Sequence, residues 1–291
     1  MTPPDLWRSL LFVPAHMPRF VEAAPRAGAD AYILDLEDSV PDDQKALARS
    51  SLPTAVARIS ESGAAVLARI NSGAATLEAD VEAAVNSGVH AIVAPKIGSC
   101  ADLQRLDAVA ATMETRAELP IGGIGVIGQI EDLDGLAALD EICRSPRLIG
   151  LSLGSEDFSR AARMRPTVQT LYHPNQLVAF ACRRYGLTPF GFPGSIADYS
   201  DLDSMSVMVA LAADLGFTGA FCIHPKQVAV LNRGFSPQPE ALADAARIVA
   251  AYEQGLVQGR GAVQLEGRMI DAPVAARARA ILQCFGTSET L

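Results

Sequence analysis

Short apolar runs rich in Val, Ile, Leu and Ala, bounded by Gly, Pro, Asp or Asn, recur along the chain and alternate with longer stretches of helical periodicity. Each short run reads as a buried strand and each longer stretch as an amphipathic helix. Eight runs stand out: Leu10 to Pro14, Ala31 to Leu36, Ala65 to Asn71, Ala91 to Ile97, Ile124 to Ile130, Leu148 to Leu153, Pro189 to Phe192 and Ala220 to His224. Between them, Leu77 to Asn86, Ala101 to Glu118 and Ser204 to Leu215 have helical spacing, and Ser87-Gly88 and Leu215-Gly216 suit helix C-termini. The seventh run has the least regular pattern, because Pro189 and Pro193 bracket a Gly-rich segment that also reads as loop.

Strands alternating with helices predict a parallel sheet covered by helices, and eight repeats in this length favour closure into an α/β (β/α)8 TIM barrel. A helix over Glu240 to Gln254 completes the barrel, so residues 1–256 form the catalytic domain and 257–291 a C-terminal lid extension. Within that extension Gln258 to Gly267 is glycine-rich and irregular. Ala272 to Phe285 then reads as a short helix with Val274, Ile281 and Leu282 as its apolar members. Such a helix is too short to stand alone in water. It is expected to dock on its own barrel mouth or on a neighbouring subunit.

With 291 residues, 49% hydrophobic and 20% charged, the chain can bury one large core. Net charge is −9 and no dense Lys/Arg run occurs, which excludes the footprint of a nucleic-acid binder. A polyanionic small molecule would need a local basic cluster. The five cysteines are scattered and unpaired in spacing, as reduced thiols in a cytoplasmic protein would be. No apolar run is long enough to cross a bilayer, and the polar start of the chain lacks a signal core, so neither membrane nor export is expected.

A barrel of this kind places its active site at the C-terminal ends of the strands. Polar residues crowd those positions: Asp35, Glu37 and Asp38, then Arg69 and Asn71, Lys96, Glu131, Glu156 with Asp157, and His224. Arg8, just before the first strand, joins Arg69 and Glu131 as a candidate for substrate binding. Glu131 and Asp157 leave consecutive strands, and two hard oxygen ligands without sulfur or imidazole suit Mg²⁺. Equally, each carboxylate could cap the helix after its strand or pair with a basic neighbour. A guanidinium on an apolar strand, Arg69 could grip a substrate carboxylate or pair with Asp35 or Glu37. Asp271, before Ala272-Pro273, is placed to N-cap the last helix, and His224 reads as a rim histidine. The G-x-G-x-x-G pattern from Gly123 to Gly128 lies within a strand instead of opening a helix, which argues against dinucleotide binding.

Several segments, taken in order, resemble the citrate lyase β-subunit-like, or CoA ester lyase, family: Arg8 to Pro14, Leu34 to Val40, Ala68 to Asn71, Pro95-Lys96, Gln129 to Glu131, Gly154 to Asp157 and Ile223 to Gln227. The tail Gly267 to Val274 is similar to the C-terminal signature of the family's stand-alone CoA lyases. The resemblance implies that Glu131 and Asp157 ligate Mg²⁺, that Arg69 grips and polarises an oxo acid, and that Asp271 is a catalytic lid carboxylate. That lid would reach the active site of an adjacent subunit in a homotrimer or hexamer. One departure occurs: the family's Val-Pro-Gly is here followed through as Pro14-Ala15-His16-Met17, and Arg19 or Arg26 would have to supply the CoA phosphate contacts.

The implied reaction is reversible, Mg²⁺-dependent cleavage of a 3-hydroxyacyl-CoA such as malyl-, citramalyl- or citryl-CoA into acetyl-CoA and a 2-oxo acid. Two other readings are a CoA-independent class II aldolase for 2-oxo acids and a non-catalytic barrel that binds an oxo acid.

Overall fold

A computed structural model describes residues 6–285, and the chain divides into two compact units after Phe235. The first is the expected barrel. Its strands are β1 (Ser9–Pro14), β2 (Ala31–Asp35), β3 (Ala65–Arg69), β4 (Ala91–Ala94), β5 (Gly125–Ile130), β6 (Leu148–Leu153), β7 (Thr188–Phe190) and β8 (Ala220–Cys222). All neighbours pair in parallel, in the order β7-β6-β5-β4-β3-β2-β1-β8. A single bridge, Phe190 to Gly219, closes the ring. A Cβ at Gly219 would overlap the Trp7 carbonyl, so only glycine lets the chain approach β1 closely at this seam.

Both faces of these strands are buried, which is why they read as continuous apolar runs without polar alternation. Leu10, Ile33, Leu67, Val93, Ile127, Phe190 and Phe221 fill the barrel interior, over Trp7 at its base. Tyr32, Leu34, Val66, Ile92 and Val126 face outward into a larger cluster shared with the helices. The helices are α1 (Pro18–Ala23), α2 (Lys45–Ser60), α3 (Ala74–Ser87), α4 (Cys100–Arg116), α5 (Leu133–Ala137), α6 (Leu139–Ile142), α7 (Ser155–Ala161), α8 (Val168–Tyr185), α9 (Leu202–Asp214) and α10 (Pro225–Gly234). Several strands end earlier than the apolar runs suggest. Asn71, Lys96 and His224 therefore lie past the sheet, on the rim where side chains are free to converge.

The second unit contains α11 (Pro239–Val257), β9 (Val263–Leu265), β10 (Arg268–Ile270) and α12 (Ala272–Phe285). The helix assigned to the barrel from its sequence thus shares its core with the C-terminal segment: Ala245, Ile248 and Tyr252 pack on Ile270, Ala275 and Ala278. Two features of the sequence reading change. The stretch taken as irregular contains a hairpin, turned at Glu266 and Gly267, whose φ values of 50° and 80° are those of a two-residue type I′ turn. Glutamate at the first turn position hides that signal. On α12 the buried face is Ala275 and Ala278, flanked by Val274 and Leu282, whereas Ile281 is exposed. Alanine allows α12 to approach α11 closely, an advantage that a search for large apolar residues misses.

Among the described residues no helix is long and apolar enough to cross a membrane, and Cys100, Cys143, Cys182 and Cys222 are free thiols. The side chain of Cys284 lies outside the described set.

At the N-terminal ends of the strands, charge is paired off. Glu114 is fully buried and takes two bonds from Arg147, at 2.7 and 3.0 Å, and two more from the N–H groups of Gly122 and Ile124, both at 2.9 Å. Burial pushes the Glu114 carboxyl up, but these partners outweigh it and hold the group below the usual carboxylate range. Glu114→Gln is expected to lower unfolding free energy by about 3 kcal/mol at pH 7, read from urea midpoints at constant slope. Since the depressed group stabilises fully above its unfolded pKa and loses that contribution as pH falls through the folded one, the gap should narrow below about pH 4. Coincident midpoints at pH 7 would show that the pair does not stabilise.

Candidate active site

The opposite end of the barrel is built differently. Asp35 and Arg69 are direct register partners at the last positions of β2 and β3. Arg69 donates to Asp35 through Nε at 2.7 Å and Nη2 at 2.6 Å, and its guanidinium lies 4.6 Å above the Phe12 ring. Asp35 also accepts from the N–H groups of Glu37 (3.0 Å) and Ser39 (3.1 Å). Burial pushes the Asp35 carboxyl up, yet these bonds hold it below its ordinary value. Burial likewise opposes the charge on Arg69, and the neighbouring carboxylates hold its proton firmly in place. The structural pairing weighed from the sequence is therefore present.

Glu37 extends the network. One of its oxygens lies 3.0 Å from Arg69 Nη1, and the other accepts from Lys96 Nζ at 2.8 Å. Lys96 has φ of +55°, a left-handed conformation rare for lysine that turns the chain sharply after β4. Burial raises the Glu37 carboxyl despite these two cations, while Glu37 in turn raises Lys96 and keeps it charged.

Glu131 follows β5 and is only 7% exposed, with a buried Oε2 that has no hydrogen-bond partner. Its place depends on Gly154, because a Cβ there would come within 2.6 Å of Glu131 Cγ. Burial first, then the charges of Glu37 and Asp157, push the Glu131 carboxyl up to about 8. Asp157 lies in the first turn of α7 and is tied to Arg160 at 2.7 Å. Nearby, Gln129 is 5% exposed and its Oε1 is also unpartnered.

Five carboxylates, Asp35, Glu37, Asp38, Glu131 and Asp157, thus gather against three cations, Arg69, Lys96 and Arg160. Carboxyl groups outnumber cations in this partly desolvated mouth, where negative charge is costly, which is why Glu131 holds its proton so firmly. Among the described residues no group of three or more His, Cys, Asp or Glu side chains is already arranged as a metal cage. The residues nonetheless fit a hard divalent cation bound through one or two carboxylates, with other positions left to water and substrate. Such an ion would supply the missing partner of Glu131 and offset negative charge.

Arg69, Glu131 and Asp157 are therefore brought together. Arg8 is not: it lies before β1 and donates to Asp30, which precedes β2, through Nε at 2.8 Å and Nη2 at 2.9 Å. The expected substrate role of Arg8 is corrected, because it occupies the N-terminal end of the barrel and spans β1 and β2 there. Asp271 belongs to the second unit, where its Oδ1 accepts from Val274 N–H at 3.2 Å as an N-cap of α12. His224 caps α10 by accepting from Lys226 N–H at 3.1 Å and stacks on Tyr199. The G-x-G-x-x-G run enters β5 and leads to no nucleotide-binding turn.

One supporting residue escaped sequence reading. Asp80, fully buried on α3, accepts from Asn71 N–H and Nδ2, at 2.8 and 2.7 Å, and from Arg49 at 2.9 Å. It thereby fixes the rim after β3. A lone carboxylate on the apolar stripe of Leu77, Val81 and Ala84 was the available signal.

Comparison with known proteins agrees with this geometry. The family description HpcH/HpaI aldolase/citrate lyase matches residues 8–225. L-malyl-CoA/beta-methylmalyl-CoA lyase of Cereibacter sphaeroides is 32% identical, covering 95% of this chain and 93% of its own. Citrate lyase subunit beta of Leuconostoc mesenteroides is 28% identical, covering 96% and 93%. A crystal structure of the Mycobacterium tuberculosis CitE protein with magnesium, acetoacetate and coenzyme A superimposes with a TM-score of 0.76 at 28% identity, covering 96% of this chain and 98% of that one. With its barrel and its carboxylate-lined mouth, this chain belongs to the HpcH/HpaI aldolase/citrate lyase family and is a carbon–carbon lyase.

Proposed function

We propose that the chain cleaves, reversibly and with Mg²⁺, a 3-hydroxyacyl-CoA such as malyl-, citramalyl- or citryl-CoA into acetyl-CoA and a 2-oxo acid. The observation that carries this reading is Glu131: a buried carboxylate with an unpartnered oxygen, beside Asp157 and facing a mouth that holds Arg69. Named functions of the relatives, and the magnesium, acetoacetate and coenzyme A bound by the mycobacterial protein, support it.

Glu131 and Asp157 would hold the cation. When bound, Mg²⁺ supplies Lewis-acid stabilisation of negative charge on the oxygens of the acid portion. Arg69 contributes a fixed positive charge to the same region. Its Nε edge is committed to Asp35, which leaves an N–H on each terminal nitrogen for an oxo-acid oxygen. Because Asp35 and Glu37 fix the guanidinium before substrate arrives, it needs no reorganisation as charge develops. Lys96, held by Glu37, keeps a second cation at the rim. The thioester carbonyl makes its α-carbon acidic enough for a carboxylate to exchange its proton, and Asp271 is the proposed base and acid for that step. Its cap bond uses one oxygen and leaves the other available. In the proposed homotrimer or hexamer, Asp271 would act in the site of an adjacent subunit.

Cleavage of malyl-, citramalyl- or citryl-CoA should require Mg²⁺, and Glu131→Ala or Asp157→Ala should each abolish it. Undiminished release of acetyl-CoA by both variants after metal removal would end the mechanism. Asp271→Asn keeps the cap acceptor but not the base, so thioester cleavage should fall by about 100-fold or more. Unchanged turnover of the thioester in that variant would point instead to an aldolase acting on free oxo acids.

A further inference from the structure

The run Ile223-His224-Pro225-Lys226-Gln227 is part of the family pattern, yet the lyase reading gives Gln227 no task. This side chain is fully buried in the first turn of α10. Its Oε1 accepts from the N–H groups of Ile223 at 2.9 Å and His224 at 3.0 Å, closing the turn after β8. Its Nε2 donates to the Ile196 carbonyl at 2.9 Å and, more weakly, to the Asp198 carbonyl at 3.5 Å. One amide therefore joins the segment after β8 to the segment after β7.

Those segments flank the one pair of neighbouring strands without a ladder, where Phe190 and Gly219 make a lone bridge. Past that bridge the chain runs from Gly191 to Asp201 with no regular structure. Beyond the Gly191 N–H bond to the Gly219 carbonyl and the buried Phe192, side-chain bonds hold it. Ile196, Phe192 and Phe221 line a cavity of about 40 Å³ together with Gln129, Ser152 and Ser155. Gly154, which makes room for Glu131, also lines it. Gln129, which lines it too, has a buried Oε1 without a hydrogen-bond partner.

We propose that Gln227 is a positioning residue: by holding the Ile196 carbonyl, it sets the wall against which the acid portion of the substrate packs beside Glu131. This rests on the lyase reading, since it takes the mouth around Glu131 as the reacting centre. The two halves of the amide have separate tasks. Oxygen Oε1 secures the turn, and Nε2 secures the wall.

Gln227→Glu separates them, because a carboxylate still accepts from Ile223 and His224 but cannot donate to Ile196 or Asp198. Amide hydrogen exchange over residues 193–200, measured without substrate, should become faster than in the wild type. For whichever of malyl-, citramalyl- or citryl-CoA the wild type cleaves, KM should rise roughly tenfold with kcat changed about twofold at most, as expected for a displaced wall. Ile196→Ala should raise KM similarly, and the double variant should be no worse than the poorer single one, as for residues acting through one contact. Gln227→Met lacks both sets of bonds and should shift exchange and KM in the same direction if a buried charge prevents Gln227→Glu from folding. Equal exchange in variant and wild type, or KM effects that multiply, would overturn the proposal. A wild type that cleaves none of the three esters would overturn the lyase reading, and the exchange comparison would still decide whether Gln227 holds the wall.

Discussion

The charged mouth depends on the ion pair between Asp35 and Arg69. They are register partners on adjacent parallel strands, so the sheet itself sets their separation and leaves the pair little freedom to rearrange. Both are largely withdrawn from water, and removing either partner would strand a buried charge at a cost of about 3 to 5 kcal/mol. From this pair the remaining order follows in steps: Arg69 orients Glu37, Glu37 retains Lys96, and the charge of Glu37 contributes to the high proton affinity of Glu131.

The two ends of the barrel show how one scaffold separates stability from chemistry. At the N-terminal end, Glu114 with Arg147 and Asp30 with Arg8 satisfy each other and tie neighbouring strands together. At the C-terminal end, carboxylates outnumber cations, and polar atoms of Glu131 and Gln129 lack partners. Such groups are costly in a folded protein unless something else completes them. The interior layer of Leu10, Ile33, Leu67 and Val93 between the two ends keeps these regimes apart.

Closure of the ring is its least supported feature. Seven strand junctions are laddered and the eighth consists of one bridge, so the chain around it relies on close approach at Gly219 and on side-chain bonds such as those of Gln227. A seam of this kind leaves room for a cavity at the mouth, at the expense of backbone pairing. The Gly-Pro-rich composition from Gly191 to Gly194 reflects that same exchange, since those residues suit a sharp, irregular path and not a strand.

Strand and helix alternation was legible from the residues because strands buried on both faces must be apolar throughout, and because Ala-, Leu- and Glu-rich stretches have helical spacing. The positions of Arg69, Glu131 and Asp157 at or just past strand ends were legible for a related reason, since a charge beside an apolar run marks where that run meets the rim. Tertiary structure decided what distance along the chain cannot encode. Arg8 and Arg69 both adjoin strands, yet opposite ends of the barrel receive them, and only the three-dimensional register reveals that Arg8 meets Asp30 while Arg69 meets Asp35. Likewise the alanine face of α12 and the bonds of Asp80 and Gln227 depend on close approach between segments apart in sequence, whereas the type I′ hairpin at Glu266-Gly267 is local and was hidden only by its glutamate. Local periodicity records which residues avoid water; it does not record which partners they find once water has gone.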